Sequence, residues 1–411
     1  MKYVIIGNSA AAVGAVEGIR QVDPEGEITV ISKEKYHTYS RPLISYLLYG
    51  KTDEQRMKYR SDDFYEKMKC TTIFGKTAVK INESSHEVLL EDNTVVSYDR
   101  LLVATGSSPF VPPMEGLENV EKKFTFMSLD DAKKLESELT PDAKVLIIGA
   151  GLIGLKCAEG ISKKVGSITV VDLADKILSS ILDKEGAEIV QSHLEKHNIK
   201  FILNTSVARF SGNTAVLSNG MQVDFDIVVL AVGVHPNVSL VKEVNGEVRR
   251  GIVVNERMET SIPDVYAAGD CTESFDITNG QNRVLALLPN AYMQGECAGI
   301  NMAGGQKEYG KAIPMNAIGF FGLHIITAGS YRGEVYEENG ETYKKLFIED
   351  GLLKGYILIG NVQKAGIYTS LIREQTPLKD IDFELICRKP SLMAFSRAER
   401  LRKLGGIQSE Y

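Results

Sequence analysis

The sequence predicts an α/β protein that contains the strand–turn–helix–strand unit of a parallel sheet twice, followed by a small α+β domain. The first observation is a repeat, because an apolar run ending in glycine opens the chain at residues 4–7 and returns at residues 145–149. Each copy continues with a small-residue turn, a helix-like stretch and a second apolar run, at 28–31 and 168–171. This succession is typical of βαβ units, whose buried strands are continuously apolar. The second observation is a change after residue 310 to short alternating strands, which indicates an antiparallel sheet.

The composition excludes several classes of function. Lys and Arg number 47 against 54 Asp and Glu, and this formal charge of −7 gives no support to nucleic-acid binding, which needs a basic face. The 5 cysteines are odd in number and contain no CxxC pair, so neither a disulfide framework nor a metal site is predicted. Met1 leads directly into an apolar strand, and no apolar run approaches the ~18 residues of a membrane span. We therefore expect a cytoplasmic protein without membrane contact.

The second turn carries a complete GxGxxG pattern. Its residues follow a predicted strand and open a predicted helix: Gly149, Ala150, Gly151, Leu152, Ile153 and Gly154. The glycines permit a tight turn, close approach of the backbone to a pyrophosphate and close helix–strand packing, and the helix N-terminus attracts the phosphates. Asp172 closes the next strand, where a carboxylate can accept hydrogen bonds from a ribose and repel a 2′-phosphate. The turn therefore predicts a dinucleotide site that favours NAD(H) over NADP(H).

The first turn is a reduced copy of the same pattern. Only its first glycine remains, in the run Gly7, Asn8, Ser9, Ala10, Ala11 and Ala12. Small residues at 9 and 12 still allow close approach, and the Ser9 hydroxyl can hydrogen-bond a phosphate. Glu34 is the carboxylate nearest to the end of the following strand, and its pattern is equally compatible with a ribose ligand and with a solvated loop acid.

Three further segments complete a recognisable order. Ala104, Thr105 and Gly106 end an apolar strand, the run 231–237 contains Gly233, and the run 260–270 ends in Gly269 and Asp270. Together with the two turns, this order resembles the pyridine nucleotide-disulfide oxidoreductases, which are flavoproteins with two dinucleotide-binding domains. Residues 38–43 (TYSRPL) and 49–51 (YGK) resemble the branch that contains rubredoxin and ferredoxin reductases and the N-terminal part of NADH-dependent nitrite reductase.

The resemblance implies a domain organisation and a pair of cofactors. The fold would contain two Rossmann-like, three-layer domains of the glutathione-reductase type, with FAD on the first and NAD(H) on the second. The FAD domain would be discontinuous, over 1–115 and 245–308, with the NAD(H) domain inserted at 116–244. A small α+β domain would follow at 309–387, and a basic helical tail at 388–411.

The resemblance also implies roles for individual residues. Gly7 to Ala12 would hold the FAD pyrophosphate, and Asp270 would bind the ribityl chain, with Gly269 allowing close approach. Ala78 and Val79 match the strand that meets the adenine, while Ala104, Thr105, Gly106 and Gly233 match strand ends near the cofactors. Arg41, Pro42 and Lys51 match residues that line the flavin, and Pro289 opens a helix whose positive end would face the flavin pyrimidine.

Two departures from the family pattern bear on the chemistry. Residues 35–55 contain no cysteine, so the thiol relay of the disulfide reductases is not expected.

The second departure is Lys156, which occupies the position where many relatives have a glutamate that pairs with the flavin-side lysine. One hypothesis is that Lys51 and Lys156 are catalytic, as two unpaired cations beside the flavin that favour its reduced form. In the alternative, Lys156 points to solvent or pairs with an acid such as Glu159.

These features predict an FAD-dependent oxidoreductase that takes hydride from NADH and passes electrons to an external iron or iron–sulfur protein. The acceptor would be a rubredoxin, a ferredoxin or an iron–sulfur or siroheme partner subunit, and the chain would be a homodimer or part of a larger redox complex. The alternatives are an NADH oxidase that reduces oxygen, and a flavin-bound scaffold or redox sensor without substantial turnover.

The basic tail is the segment beyond the family core. Ser391 is expected to cap a helix with Leu392, Phe395 and Leu401 on one apolar stripe. Its cations are expected either to dock an acidic partner or, the reading we favour, to lie on a helix packed against its own chain.

Overall fold

The first strands and helices build a parallel sheet around the first turn. The computed structural model describes residues 1–340 and 342–404. Residues 1–109 contain β1 (Lys2–Ile6), α1 (Ala10–Val22), β2 (Glu27–Ser32), α2 (Ile44–Tyr49), α3 (Phe64–Lys67), β3 (Cys70–Phe74), β4 (Ala78–Asn82), β5 (Glu87–Leu90), β6 (Val95–Ser97), β7 (Arg100–Val103) and β8 (Ser107–Pro109). β1 pairs in parallel with β2 on one side and with β7 on the other. Both faces of β1 are covered, since residues 3–6 are all buried, which explains its continuous apolar run.

The second repeat forms a second parallel sheet. Residues 123–242 contain β9 (Lys123–Thr125), α4 (Leu129–Glu138), β10 (Lys144–Ile148), α5 (Leu152–Ile161), β11 (Ser167–Val171), α6 (Lys184–Glu195), β12 (Ile199–Ile202), β13 (Val207–Ser211), β14 (Thr214–Leu217), β15 (Gln222–Asp224), β16 (Ile227–Leu230), β17 (Val234–Pro236) and α7 (Ser239–Lys242). The sheet order is β12-β11-β10-β16-β9. Between β12 and β16 in the sequence, β13, β14 and β15 form a separate antiparallel sheet. β10 and β11 pair in the same way as β1 and β2, which confirms the predicted repeat.

The chain then returns to the first sheet. Here the elements are β18 (Val265–Ala267), β19 (Glu273–Asp276), β20 (Gln281–Val284) and α8 (Leu288–Met302). β18 pairs with β7 and completes the order β18-β7-β1-β2-β3. Helix α8 packs on α1 at the closest distance that glycine allows, because a Cβ at Gly295 would lie 1.9 Å from the Ala11 carbonyl oxygen and one at Gly14 would lie 2.3 Å from that of Tyr292. The small residues of α1 therefore form a helix–helix interface.

The C-terminal part contains an antiparallel sheet, as the alternating strands predicted. The chain separates into two compact units, of which the second holds residues 276–281 and those from Lys311 onward. Its elements are β21 (Met315–Phe320), β22 (Leu323–Gly329), β23 (Glu334–Asn339), β24 (Tyr343–Glu349), β25 (Leu352–Ile359), α9 (Ala365–Glu374), α10 (Phe383–Arg388) and α11 (Arg397–Lys403). The sheet order is β21-β22-β25-β24-β23, and α9 packs on it through Tyr368 and Leu371, which are buried. The α/β fold class is confirmed.

The tail differs from the helix expected to begin at Ser391. Ser391 caps a single turn, Leu392–Ala394, and α11 begins after Ser396, because the backbone of Phe395 is extended and breaks the helix. Phe395 is buried at 2% exposure, whereas Leu401 is 54% exposed, so the predicted apolar stripe is wrong.

The cations at the end of α11 face acids of their own unit. Arg402 and Lys403 each lie 2.7 Å from a carboxylate oxygen of Glu374 on α9. This favours packing on the chain itself over docking for the described part of the tail, while residues 405–411 lie outside the described residues. Across the described chain, no helix has the length and apolarity that crossing a bilayer requires.

Candidate functional site

The first turn is shaped by a carbonyl group that leaves no space for a side chain. Gly7 follows β1 with φ +128°, and a Cβ there would lie 2.1 Å from the Ala104 carbonyl oxygen at the end of β7. Ser9 is the N-cap of α1 in extended conformation, but its side chain makes no capping hydrogen bond. The first turn of α1, Ala10 to Ala12, contains no acidic residue. Backbone N–H groups and the positive end of the helix dipole therefore stay available to an anion at this turn.

The second turn has the same construction. Gly149 has φ +113°, and a Cβ there would lie 2.2 Å from the Ala231 carbonyl oxygen at the end of β16. A Cβ at Gly154 would lie 2.0 Å from the Gly149 carbonyl oxygen, so this glycine lets α5 pack on the turn. A Cβ at Gly151 would meet no atom within 4 Å, so the space in front of it is open. Leu152 and Ile153 form the first turn of α5. The three glycines thus have three separable roles.

The two acids that follow these turns are held in different ways. The Asp172 carboxylate accepts hydrogen bonds from the backbone N–H groups of Ala150, at 2.5 Å, and Ala174, at 2.8 Å. The Glu34 carboxylate instead accepts from the Tyr39 hydroxyl at 2.6 Å and forms an ion pair with Arg41. With a side chain only 19% exposed, Glu34 is not a solvated loop acid, and that interpretation is wrong.

The Glu34 ion pair is part of a larger network. The Tyr39 hydroxyl also accepts a hydrogen bond of 2.9 Å from the Leu129 N–H at the start of α4, which connects the two repeats. Burial raises the pKa of Tyr39, so the phenol stays protonated and donates to Glu34. Burial opposes the charge of Arg41, but the neighbouring Glu34 carboxylate outweighs it and raises the pKa of the guanidinium. Arg41 therefore remains a fixed cation.

A small polar pocket lies beside the first turn. It is lined by Asn8, Ser9, Ser32, Glu34, Tyr36, His37, Tyr39 and Arg41. Asn8 fixes its wall, since its amide donates to the Tyr36 carbonyl at 3.2 Å and accepts from the Tyr65 hydroxyl at 2.5 Å. His37 Nε2 and Thr38 Oγ1 are buried without a hydrogen-bond partner among the described residues. Such orphaned polar atoms fit a site that a polar ligand completes.

Sequence reasoning missed His37 and Thr38, although Thr38 belongs to a motif that carried the resemblance, and it included Asn8 within the first turn without a role of its own. Their types and spacing give no distinctive signal, because a polar residue in a loop is ordinary. Only the burial of their polar atoms distinguishes them.

Asp270 comes close to Arg41 although the two are far apart in the chain. Burial raises the pKa of Asp270, and the positive charge of Arg41 opposes that shift. The preceding Gly269 has φ +86°, and its N–H donates to the Gln294 side chain at 2.8 Å. Gln294 lies on α8 and is another residue that sequence reasoning missed. Helix α8 begins at Leu288 with Pro289 in its first turn, as the sequence predicts.

The remaining predicted residues lie at strand ends and edges. The Thr105 hydroxyl donates to the Asn237 carbonyl at 2.8 Å, so it is already used within the protein. Gly106 and Gly233 both have positive φ, of +65° and +131°. Ala78 opens β4, and Val79 is 42% exposed on the same strand. Pro42 lies in the single turn Arg41–Leu43 that precedes α2.

The two lysines meet a shared acid where α2 packs on α5. Lys156 donates a short hydrogen bond to Glu159, and the Lys51 Nζ lies 3.8 Å from the other Glu159 oxygen. The Tyr46 ring lies beneath the Lys156 ammonium, 4.1 Å from ring centroid to Nζ. We call Tyr46, Lys51, Lys156 and Glu159 the junction cluster. The hypothesis of two unpaired cations is wrong, because Glu159 lies between them, and the alternative pairing of Lys156 with Glu159 is confirmed.

Comparison with known proteins identifies the family. The family described as pyridine nucleotide-disulphide oxidoreductase matches residues 1–295. The chain belongs to this family. The domain described as the rubredoxin NAD+ reductase C-terminal domain matches residues 314–376. This oxidoreductase uses FAD and NAD(H), as the family resemblance implied.

Relatives of this oxidoreductase extend over most of its length. It is 33% identical over 392 residues to the NADH-dependent phenylglyoxylate dehydrogenase subunit epsilon of Aromatoleum evansii, with 92% of each chain covered. It is 30% identical to the assimilatory nitrate reductase electron transfer subunit of Bacillus subtilis strain 168, with 91% of this chain and 49% of the relative covered. The reductase in a covalent putidaredoxin reductase–putidaredoxin complex superposes with a TM-score of 0.86 at 21% identity, over 98% of each chain, and shows the fold.

The residues of the first turn fit FAD, and those of the second fit NAD(H). Each turn offers helix N–H groups that no side chain caps. Beside them lies a glycine at which a Cβ would collide with a carbonyl oxygen. Around the first turn, orphaned polar atoms and the half-buried Asp270 add the donors and acceptors that a flavin dinucleotide needs.

The cysteines of this oxidoreductase are unsuited to thiol chemistry. All 5 are free, and Cys70 is half-buried while the others are buried. Burial raises the pKa of Cys70, Cys271, Cys297 and Cys387 to about 11, and it also raises the pKa of Cys157. The thiols therefore stay protonated near neutral pH, and thiolates are the reactive form. Within residues 1–340 and 342–404, no group of His, Cys, Asp or Glu side chains is arranged to hold a metal ion.

Proposed function

We propose that this chain is an NADH:acceptor oxidoreductase whose electrons leave to an iron or iron–sulfur protein, either a small carrier or a partner subunit. The observation that carries the proposal is the combination of two turns of the same construction with a helix α2 that contacts lysines through its tyrosines and contains no thiol. Two relatives are named as subunits of NADH-dependent or electron-transferring enzymes, which supports a partner subunit as acceptor.

The first repeat would hold FAD. Gly7 and the N–H groups of Ser9 to Ala12 would bind the pyrophosphate, with Asp270 on the ribityl chain and Arg41 and Pro42 against the flavin. Ala78, Val79, Ala104, Thr105 and Gly106 would complete the contacts, and Pro289 would present the N-terminus of α8. Glu34 would act on the cofactor through Arg41 as a positioning residue, because its ion pair with Arg41 neutralises the charge that a free carboxylate would present.

The second repeat would hold NADH. The backbone of Gly149, Ala150 and Gly151 and the first turn of α5, Leu152 to Gly154, would bind the pyrophosphate. Asp172 would exchange a backbone hydrogen bond for a ribose hydroxyl, and Gly233 would flank the same strand edge. Bound FAD supplies the hydride-accepting and electron-passing chemistry, while the chain supplies alignment and charge. Lys51 and Lys156 would place net positive charge at the junction of the two repeats.

The proposed domain division follows the same logic. Residues 1–115 and 245–308 would form the FAD domain and 116–244 the NAD(H) domain, because β18 and α8 return to the sheet and helix of the first repeat. Residues 309–387 would form the C-terminal domain, and 388–411 the tail. We also propose a cytoplasmic location, which the 5 free thiols favour.

The function is tested by anaerobic reduction of the purified, FAD-loaded protein. NADH is expected to bleach the flavin absorbance without oxygen, and addition of a ferredoxin or rubredoxin is expected to restore it. If the flavin is not bleached by NADH, the proposal is wrong. If reduced protein is reoxidised rapidly by oxygen but by no iron protein, the oxidase alternative replaces it. Slow reoxidation by every acceptor, with an NADH-dependent change in assembly state, favours the sensor.

A further inference from the structure

The junction cluster contains an acid that serves cations from both repeats. The Glu159 side chain is only 2% exposed and lies on α5, one turn after Lys156. One of its oxygens accepts from Lys156, and the other lies 3.8 Å from Lys51, which follows α2. The chain thus places a single buried carboxylate where the two repeats meet.

Aromatic rings give the lysines a second support. The Lys51 Nζ lies 5.4 Å from the centroid of Tyr46 and 4.6 Å from that of Tyr49, and Tyr46 also supports Lys156. Beyond the end of α5, the Lys163 Nζ lies 3.9 Å from the centroid of the Tyr49 ring. Cation–π contacts of this kind hold an ammonium group without neutralising it. Removing the charge of Glu159 therefore leaves the lysines with contacts that keep them at the junction.

Lys51, Lys156 and Glu159 together carry one net positive charge, and Lys163 on the Tyr49 ring adds a further cation beside them. In a buried setting a carboxylate lowers the local positive potential far more than it would in water, because screening is weak. A cofactor that gains negative charge on reduction responds directly to that potential.

We propose that Glu159, by cancelling one lysine charge at the junction cluster, sets the reduction potential of the bound flavin. This inference rests on the proposed function, since it requires the flavin beside the junction cluster. Glu159 cancels part of the positive charge beside the flavin, and so limits how strongly the protein favours reduced flavin.

The test removes the negative charge of Glu159 and keeps the size and shape of its side chain. In Glu159→Gln the midpoint potential of the FAD-loaded protein, titrated with dithionite and a redox dye, is expected to rise. A tenfold shift of the equilibrium toward reduced flavin corresponds to about 30 mV for a two-electron couple. The matched control is Glu136→Gln, which removes the same charge from an ion pair with Lys164, partly exposed and beyond the end of α5, and should leave the potential unchanged. An unchanged potential in Glu159→Gln, or an equal rise in the control, overturns the proposal.

A second variant keeps the test decisive if Glu159→Gln does not yield folded flavoprotein. Lys156→Gln removes a cation instead and is expected to lower the potential, and an unchanged potential again overturns the proposal. The chemical titration does not use NADH. A protein whose flavin NADH fails to reduce contradicts the proposed function, whereas normal reduction by NADH with unshifted potentials contradicts the role of Glu159 alone.

Discussion

The two dinucleotide turns of this protein have the same backbone conformation, but the acids that follow them are held by different partners. Gly7 and Gly149 have φ of +128° and +113°, and a Cβ at either would lie within 2.2 Å of a carbonyl oxygen at the end of a neighbouring strand. The acids that follow differ, because Asp172 is held by backbone N–H groups while Glu34 is held by Arg41 and Tyr39. A shared turn geometry thus leaves room for different ligand chemistry.

The difference lies in what each acid can offer a ligand. Backbone N–H groups orient Asp172 without cancelling its charge, so the carboxylate still repels a phosphate and attracts hydroxyl donors. Arg41 neutralises Glu34, so this acid holds a cation in place instead of presenting a negative charge. The role of an acid after a dinucleotide turn therefore depends on whether its hydrogen-bond partners leave it charged or neutralise it.

The largest expected effect comes from adding a Cβ at the first glycine of one turn, where it collides with a carbonyl oxygen of the neighbouring strand. Gly7→Ala is expected to abolish FAD retention, since the Cβ collides with the Ala104 carbonyl and a positive φ costs a further ~1–2 kcal/mol. Gly149→Ala is expected to retain FAD but to lose NADH binding. The measurements are the ratio of flavin to protein absorbance and NADH titration of the flavin. Equal loss of FAD in both variants would show that the two turns do not act separately.

The next effect concerns coenzyme selection. Asp172→Ala is expected to lower kcat/KM for NADH about tenfold, equivalent to ~1.4 kcal/mol, and to raise the relative use of NADPH, because the repulsion of a 2′-phosphate disappears. Steady-state rates with both coenzymes and an artificial dye measure the change. Glu34→Gln serves as control and should leave the NADH-to-NADPH ratio as it is. An unchanged ratio in Asp172→Ala contradicts the role of this acid.

A smaller effect is expected from the acid of the first turn. Glu34→Gln removes the charged partner of Arg41 and is expected to weaken FAD binding several-fold, equivalent to roughly 1 kcal/mol, because Arg41 is partly exposed and screened. FAD release during dialysis, followed by fluorescence, measures it. Asp172→Ala is the opposite control and should retain FAD. If Asp172→Ala lost FAD faster than Glu34→Gln, Asp172 and not Glu34 would be the acid that supports FAD binding.

The smallest effect on folding is expected at Gly151. A Cβ there meets no atom within 4 Å, so Gly151→Ala should change the free energy of unfolding by less than about 0.5 kcal/mol. NADH binding should weaken nonetheless, since the open space in front of Gly151 is where a pyrophosphate would approach. Chemical denaturation and NADH titration separate the two effects. Unchanged NADH affinity would mean that the phosphates do not approach this residue.

The sequence alone predicts much of the fold and the frame of the site. Gly7 and Gly149 are identifiable because each directly follows a strand, and Gly154 because it is the last glycine of a GxGxxG pattern. The tail was predicted less well, since an extended backbone at Phe395 interrupts a pattern that periodicity alone extends as one helix. The orphaned atoms of His37 and Thr38 could not be predicted, because burial of a loop residue depends on what packs over it.

Local patterns therefore determined the repeated strand–turn–helix units, the antiparallel C-terminal sheet and the absence of cysteine from α2, because each depends on residues close together in the chain. The tertiary structure decided which charges meet. It brought Arg41 to Glu34 and Asp270, and it set Glu159 between Lys51 and Lys156, where the sequence left open whether Lys156 is an unpaired cation or pairs with Glu159. Electrostatic partners are chosen by distance in space, and the packing of α2 on α5 brings together charges that lie more than a hundred residues apart.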